Sequence, residues 1–262
     1  MKKVIYAKKR FGQNFLKDQN IINKIVGVFN FENSHVLEIG PGRGALTKEL
    51  IKKASKVTCY EIDPDMVAVL NKQFQNEPNL KIINQDFLQA NLSQFQNAYI
   101  IANIPYYITT DILFKIFDYK NQFKGVLLMV QKEVALRMSA QKNTPEYSKL
   151  SISCQYLANV KNEFIVKASS FSPTPSVDSA VVSLVFRQDI SQIQWQQIKD
   201  FFKTCFANRR KKLLFALSKV YIKEYILNVF QQLNLPENVR IQQLDINQIV
   251  QIFEKLNQEI NQ

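Results

Sequence analysis

Residues 103–106 read Asn-Ile-Pro-Tyr. The Asn side-chain oxygen and the carbonyl of the next residue are two hydrogen-bond acceptors in one short segment, and the Tyr ring beyond them is a flat plate. Pro105 pushes the residue before it toward extended backbone and brings no N–H of its own, so the segment is stiff. Such a set suits a planar base that carries an amino group. The exocyclic nitrogen of adenine is a poor nucleophile, because its lone pair is delocalised into the ring. A protein that alkylates it must hold the amino hydrogens and grip the base. Asn103 and the Ile104 carbonyl would do the first, and the face of Tyr106, rather than its hydroxyl, the second. A short Asn-Pro-aromatic segment can also be an ordinary turn after a strand, so its position matters.

The elements upstream give that position. Val36 to Ile39 is a short apolar run fit for a buried strand, followed by Gly40-Pro41-Gly42-Arg43-Gly44 and then by helical spacing of Ala45, Leu46 and Leu50. Glycines let backbone approach a ligand without a Cβ in the way. A second apolar run, Val57 to Ile62, carries Glu61 near its end, 19 residues beyond Gly42. At that distance a carboxylate at the next strand's end takes ribose hydroxyls. A third run, Leu80 to Ile83, leads to Asp86, and a fourth, Ala98 to Ala102, delivers Asn103. Successive strands thus place a Gly turn or a polar residue at one carboxyl edge, where open α/β sheets bind ligands.

The Gly turn by itself could serve a dinucleotide. Its spacing is Gly-x-Gly-x-Gly rather than Gly-x-Gly-x-x-Gly, and Pro41 removes an N–H from a cradle that needs donors. Asp86 and the Asn-Ile-Pro-Tyr segment have no task in hydride transfer. Glu61 as a solvated strand end and Asp86 as a cap are the bland alternatives.

Composition bounds the rest. The chain has 262 residues, one histidine (His35) and three cysteines far apart. That argues against Ser–His or Cys–His triads and against Cys₄ or His-rich metal sites, and suits reduced thiols in a cytoplasmic protein. No metal is expected. No apolar stretch approaches the length of a membrane span, and the basic N-terminus lacks the apolar centre of a signal peptide. Net charge is +12, concentrated in two blocks: residues 1–24 hold seven Lys/Arg against one Asp, and residues 203–223 hold seven and no acid. Such a block is often only a solvated face. With phenylalanines interleaved, Lys8, Lys9 and Arg10 in the first and Arg209, Arg210, Lys211 and Lys212 in the second suggest a polyanionic partner such as nucleic acid. The second set is expected to open a helix whose Leu213, Leu217 and Val220 face inward.

Strands alternate with helical patterns up to about Arg187 and the remainder reads as helical, which predicts an α/β domain over 1–187 and a small all-helical RNA-docking domain over 188–262. Asp63-Pro64 is a strong helix start. The runs around 160–166 and 180–186, joined by Phe171-Ser172-Pro173-Thr174-Pro175, suggest an antiparallel pair at the sheet end.

The chain resembles the ribosomal RNA adenine N6,N6-dimethyltransferases. The stretches that carry the resemblance are Arg10 to Leu16, Leu37 to Thr47, Glu61-Ile62-Asp63, Asn103 to Tyr106, Gln131 to Val134, Tyr147 to Ser151, Phe171 to Val182 and Arg209 to Leu213. The Gly turn is common to many methyltransferases. The Phe-Gly-Gln-Asn-Phe-Leu start, the Asn-Ile-Pro-Tyr segment and the Phe-x-Pro-x-Pro loop together are far more specific. The resemblance covers roughly residues 8–220 and implies a class I, Rossmann-like, seven-stranded sheet with S-adenosylmethionine at its carboxyl edge. It further implies that Asn14, Leu16, Gly40 and Gly42 line the cofactor, that Asp86 meets its adenine amino group, and that Asn103 lies between cofactor and substrate. Tyr106 and Phe171 would sandwich the target base.

The implied partner is the small ribosomal subunit or its precursor, with ribosomal RNA methylated in a loop near its 3′ end by a monomeric enzyme. The Gln131, Tyr147 and Arg209 stretches lean to the small-subunit branch over the large-subunit branch that confers antibiotic resistance. An intact Glu61, Asp86 and Asn103 set leans against a non-catalytic assembly factor. Asn rather than Asp at position 103 favours RNA over DNA. Tyr107 and Thr109-Thr110 depart from the Asn and Ser-Thr common in relatives, which bears on the shape of the pocket rim.

Overall fold

The computed structural model describes residue 8 and residues 11–260, the last as backbone alone. The strands are β1 (Phe15–Leu16), β2 (His35–Ile39), β3 (Lys56–Glu61), β4 (Leu80–Asn84), β5 (Ala98–Asn103), β6 (Phe123–Gln131), β7 (Ala158–Val166), β8 (Phe171–Ser172) and β9 (Ser179–Phe186). The helices are α1 (Gln19–Ile25), α2 (Thr47–Leu50), α3 (Pro64–Gln73), α4 (Thr109–Asp118), α5 (Lys132–Met138), α6 (Lys149–Leu157), α7 (Gln192–Phe206), α8 (Leu213–Leu217), α9 (Lys223–Gln232) and α10 (Ile246–Ile260).

Seven strands form one sheet in the order β4-β3-β2-β5-β6-β9-β7. β4 to β6 run parallel and β9 is antiparallel to β6. Strands covered on both faces need apolar residues at nearly every position; β2, β5 and β6 largely meet that requirement and β3 is buried from Val57 to Glu61 although it carries Thr58 and Glu61, whereas β4 at the edge is half exposed and carries Lys81. The chain steps outward from β2 through β3 to β4, then returns to lay β5 on the other side of β2. The order therefore reverses between β2 and β5, the point at which open α/β sheets hold ligands. The Gly40 turn leaves one of these strands and Asn103 ends the other.

Local signals position the connections. Asp63 caps α3, accepting from Asp65 N at 3.1 Å, with Pro64 as the first helical residue. A separate two-stranded pairing joins β1 to β8, Leu16 opposite Phe171. His35 is half-buried: Nε2 lies 2.9 Å from Thr58 Oγ1 and the ring packs 4.9 Å from Phe95.

The chain divides into two compact units, residues 1–135 with 159–186, and residues 136–158 with 187–262. The last crossing between the units falls at 186/187, and the segment from Leu136 to Ala158 groups with the C-terminal helices. α6 shows why: it buries Leu150, Ile152, Cys154, Tyr156 and Leu157, and Tyr156 meets Phe202 of α7 edge-on at 5.5 Å. α7 starts at a Ser191–Gln194 capping box and buries Trp195, Ile198, Phe201, Phe202 and Cys205 along one face. No helix among the described residues is long and apolar enough to cross a membrane.

Candidate active site

One cavity opens at the switch point of the sheet unit. Its wall includes Asn14, Leu16, Gly40, Gly42, Glu61, Asp86, Asn103, Ile104 and Tyr106, every residue assigned above to cofactor or base except Phe171.

The Gly turn is shaped by its backbone. Gly40, Gly42 and Gly44 have φ of +62°, +57° and +77°, a region that L side chains avoid. A Cβ at Gly40 would meet only Pro105 Cδ, 3.9 Å away, so a side chain there would enter the cavity. A Cβ at Gly42 would lie 2.9 Å from the Phe15 ring. Arg43 stacks its guanidinium 4.5 Å from the same ring centroid.

Glu61, the last residue of β3, is buried, and both its oxygens are oriented by backbone: Gly42 N donates to Oε2 at 3.0 Å and Asp63 N to Oε1 at 2.9 Å. Burial raises its pKa, and those N–H groups work against the rise. Each oxygen has a further lone pair for a ligand hydroxyl. Asp86 Oδ1 accepts from Leu88 N at 2.9 Å, so it does cap a short 3₁₀ turn while also facing the cavity.

Asn103 donates from Nδ2 to the Asn14 carbonyl at 3.1 Å. A carbonyl can only accept, so this bond fixes which end of the amide is which. It leaves Oδ1, the acceptor, as the other end. Tyr106 is half-buried with its hydroxyl 2.6 Å from Ser179 Oγ, a buried residue at the start of β9. Burial raises the Tyr106 pKa, so the hydroxyl stays protonated at neutral pH.

Phe171 is a correction. It is fully buried in the apolar core, in one cluster with Leu16, and is not among the residues on the cavity wall. Phe11, Phe15, Tyr60, Phe87 and Tyr107 are the other aromatic rings on the cavity wall. Lys8 also differs from expectation: its ammonium is 2.6 Å from both Asp63 and Asp65, and Gln13 donates to Asp63 at 3.0 Å. In this arrangement Lys8 fastens the N-terminal segment beside the cavity rather than facing solvent phosphate. Lys9 and Arg10 lie outside the described residues.

Sequence reasoning passed over three participants. Glu38, at the end of β2, lines the cavity fully buried; burial pushes it up to about 7, against hydrogen bonds from Thr47 and Cys59. An acid inside an apolar strand was the signal. Gln13 had only its place in the Phe-Gly-Gln-Asn-Phe-Leu run. Ser179 had no local signal, since its role depends on a partner 73 residues away.

In the helical unit, the basic block does not open a helix. Arg209 and Arg210 lie in the turn after α7, Lys211 follows, and Lys212 is the residue that precedes α8. Arg209 is drawn inward, donating to the Tyr147 carbonyl at 2.8 Å, while Arg210, Lys211 and Lys212 are exposed on a cleft. Leu213 and Leu217 are buried as expected, but Val220 is 64% exposed because it lies past the end of α8.

A seven-stranded sheet of this order, with a Gly turn and a ribose-spaced acid at the switch point, defines a class I S-adenosylmethionine-dependent methyltransferase fold. The model of the family described as ribosomal RNA adenine dimethylase matches residues 5–258, and the chain belongs to that family. It is 54% identical to ribosomal RNA small subunit methyltransferase A of Mycoplasmopsis synoviae, over 96% of this chain and 97% of that one. It is 48% identical to the protein of the same name in Mycoplasmopsis pulmonis, over 95% and 99%. Among solved structures it is similar to a dimethyladenosine transferase from Plasmodium falciparum, with a TM-score of 0.82 and 29% identity over 94% of this chain and 98% of that one. It is also similar to the 23S rRNA methyltransferase ErmE, with a TM-score of 0.71 and 26% identity over 93% and 100%.

Proposed function

We propose that this protein methylates N6 of adenosines in small-subunit ribosomal RNA, twice on the same nitrogen, at a loop near the 3′ end of that RNA. The observation that carries this reading is the Asn103 amide, which the Asn14 carbonyl holds with its acceptor end available, beside Tyr106 and in one cavity with Glu61. The glycine cradle and the backbone-oriented Glu61 fit S-adenosylmethionine, which supplies an electrophilic methyl group on a sulfonium. Glu61 takes ribose hydroxyls, Asp86 an adenine amino group, and Asn14, Leu16, Gly40 and Gly42 close the wall.

The target base enters single-stranded or extruded, at a cost of a few kcal/mol that is least in a loop. Tyr106 stacks on it, worth about 1–3 kcal/mol. Asn103 Oδ1 and the Ile104 carbonyl accept from its amino group, so the nitrogen lone pair is aimed rather than deprotonated. Rate then comes from orientation and electrostatics, without a general base. The small-subunit assignment is favoured by 54% identity to a relative of that name, against 26% to the large-subunit enzyme. We further take the enzyme to act as a cytoplasmic monomer, with Arg210, Lys211 and Lys212 of the helical unit docking on RNA phosphates.

Incubation with labelled S-adenosylmethionine and separated small and large subunits is the test. Label in small-subunit RNA, recovered as dimethyladenosine, is expected. Label only in large-subunit RNA would transfer the protein to the resistance branch, and cofactor binding with no transfer would favour an assembly factor.

A further inference from the structure

The helical unit carries a second cleft, of about 1200 Å³. Arg210, Lys211, Lys212, Lys223 and Arg240 line it, all exposed, and none of the described residues on its wall is acidic. In the same wall is Phe215, 44% exposed although it belongs to a short helix whose Leu213, Ala216 and Leu217 are buried. An exposed phenylalanine alone is unremarkable. Here its ring is flanked by two ammonium groups, Lys211 Nζ at 4.1 Å and Lys219 Nζ at 5.1 Å from the centroid.

An aromatic face set among cations matches one ligand chemistry closely. Single-stranded nucleic acid offers a π-face to the ring and phosphates to the cations on either side. A duplex offers phosphates but keeps its bases stacked inside. An acidic peptide would satisfy the charges and leave the ring without a partner of its own kind. We propose that this cleft binds unpaired RNA, with one base stacked on Phe215 and the flanking phosphates on Arg210, Lys212, Lys223 and Arg240.

The lysines over the ring do not oppose this. A cation–π contact at an exposed ring is weaker than base stacking, and both lysines are on flexible stems. A base that displaces one ammonium frees it to meet the adjoining phosphate. The site shares no lining residue with the Asn103 cavity, which takes the base to be modified. It rests on the reading that RNA is the substrate, and supplies a means of holding unpaired nucleotides other than the reacting one.

The test is binding of a fluorescein-labelled 12-nucleotide single-stranded RNA, and of a duplex RNA of equal length, to the full chain. Phe215→Ala is expected to weaken single-strand binding by roughly five- to a hundredfold, with the salt slope unchanged. Duplex binding should hardly move, and Phe215→Trp should restore the loss. Arg210→Ala with Lys223→Ala should instead flatten the salt slope, by about 0.7 log units per lost contact. Because Phe215 is half exposed, its thermal unfolding profile should stay as in the parent chain. Equal affinity of Phe215→Ala and parent for the single strand, an equal loss with the duplex, or no single-strand binding by the parent would each overturn the proposal. Methyl transfer to ribosomal subunits is scored separately: a Phe215-dependent single-strand site without transfer would leave this site standing and remove the activity.

Discussion

Replacing Tyr106 by Phe would be nearly silent if only the ring face mattered. The geometry predicts otherwise. The Tyr106 hydroxyl lies 2.6 Å from Ser179 Oγ, and Ser179 is fully buried. Removing the hydroxyl strands a buried polar atom, a change that costs about 1–3 kcal/mol. It also frees the ring to rotate about a segment whose stacking plane must face the bound base. If about 1.4 kcal/mol of that falls on the transition state, transfer slows roughly tenfold. Ser179→Ala removes the same tether from the other side. It should slow transfer similarly but destabilise the fold less, because the half-buried Tyr106 hydroxyl can turn toward water. The double variant should be no slower than either single one, since both remove one interaction. Affinity for S-adenosylmethionine should be unchanged in all three. Single-turnover rates on small subunits, with urea unfolding alongside, are the assay. Full-speed transfer by Tyr106→Phe, or additive losses in the double variant, would refute the idea that this bond sets the ring.

Asn103→Ala should reduce transfer on the order of a hundredfold, by analogy with loss of one preorganised hydrogen-bonding group, while Glu61→Ala should act chiefly on cofactor affinity; isothermal titration and single-turnover rates separate the two. Glu38 gives a pH signature. Its folded pKa is raised to about 7, from 4.5, so between those values the folded state holds a proton that the unfolded chain releases. Stability therefore falls as pH rises from about 4.5 to 7, by on the order of 3 kcal/mol from this group, and is level above that. Glu38→Gln should flatten that part of the profile in urea unfolding of the cofactor-free protein, gaining relative to the parent at pH 8 but not at pH 4. Gly42→Ala should lower both stability and cofactor affinity, since a Cβ would sit 2.9 Å from the Phe15 ring at a φ of +57°; thermal unfolding with and without cofactor would show it, and parent-like values would mean that the turn readjusts.

Much of the sheet unit was legible because its signals are local. A buried parallel strand must be apolar throughout, a left-handed turn favours glycine, and a carboxylate 19 residues on from Gly42 lies at the end of the next strand. Those rules located the Gly40 turn, Glu61, Asp86 and Asn103 at one edge, and the cavity lies there. The family resemblance supplied Asn14 and Leu16, which no periodicity marks. What the sequence could not decide is which distant segments pair. Phe171 had the right chemistry for a stacking plate, but it is buried in the core cluster that includes Leu16, 155 positions away and its strand partner. The segment from Leu136 to Ala158 lies between strands of the sheet unit in sequence, yet its apolar face packs among the C-terminal helices. Arg209 and Arg210 are adjacent and chemically alike, and only the Tyr147 carbonyl distinguishes them, drawing one inward and leaving the other on the cleft. Residue type and spacing determined which groups could do the chemistry; contacts across long stretches of chain decided which of them are free to do it, because burial and hydrogen-bond partners are properties of the packed structure and not of the local run.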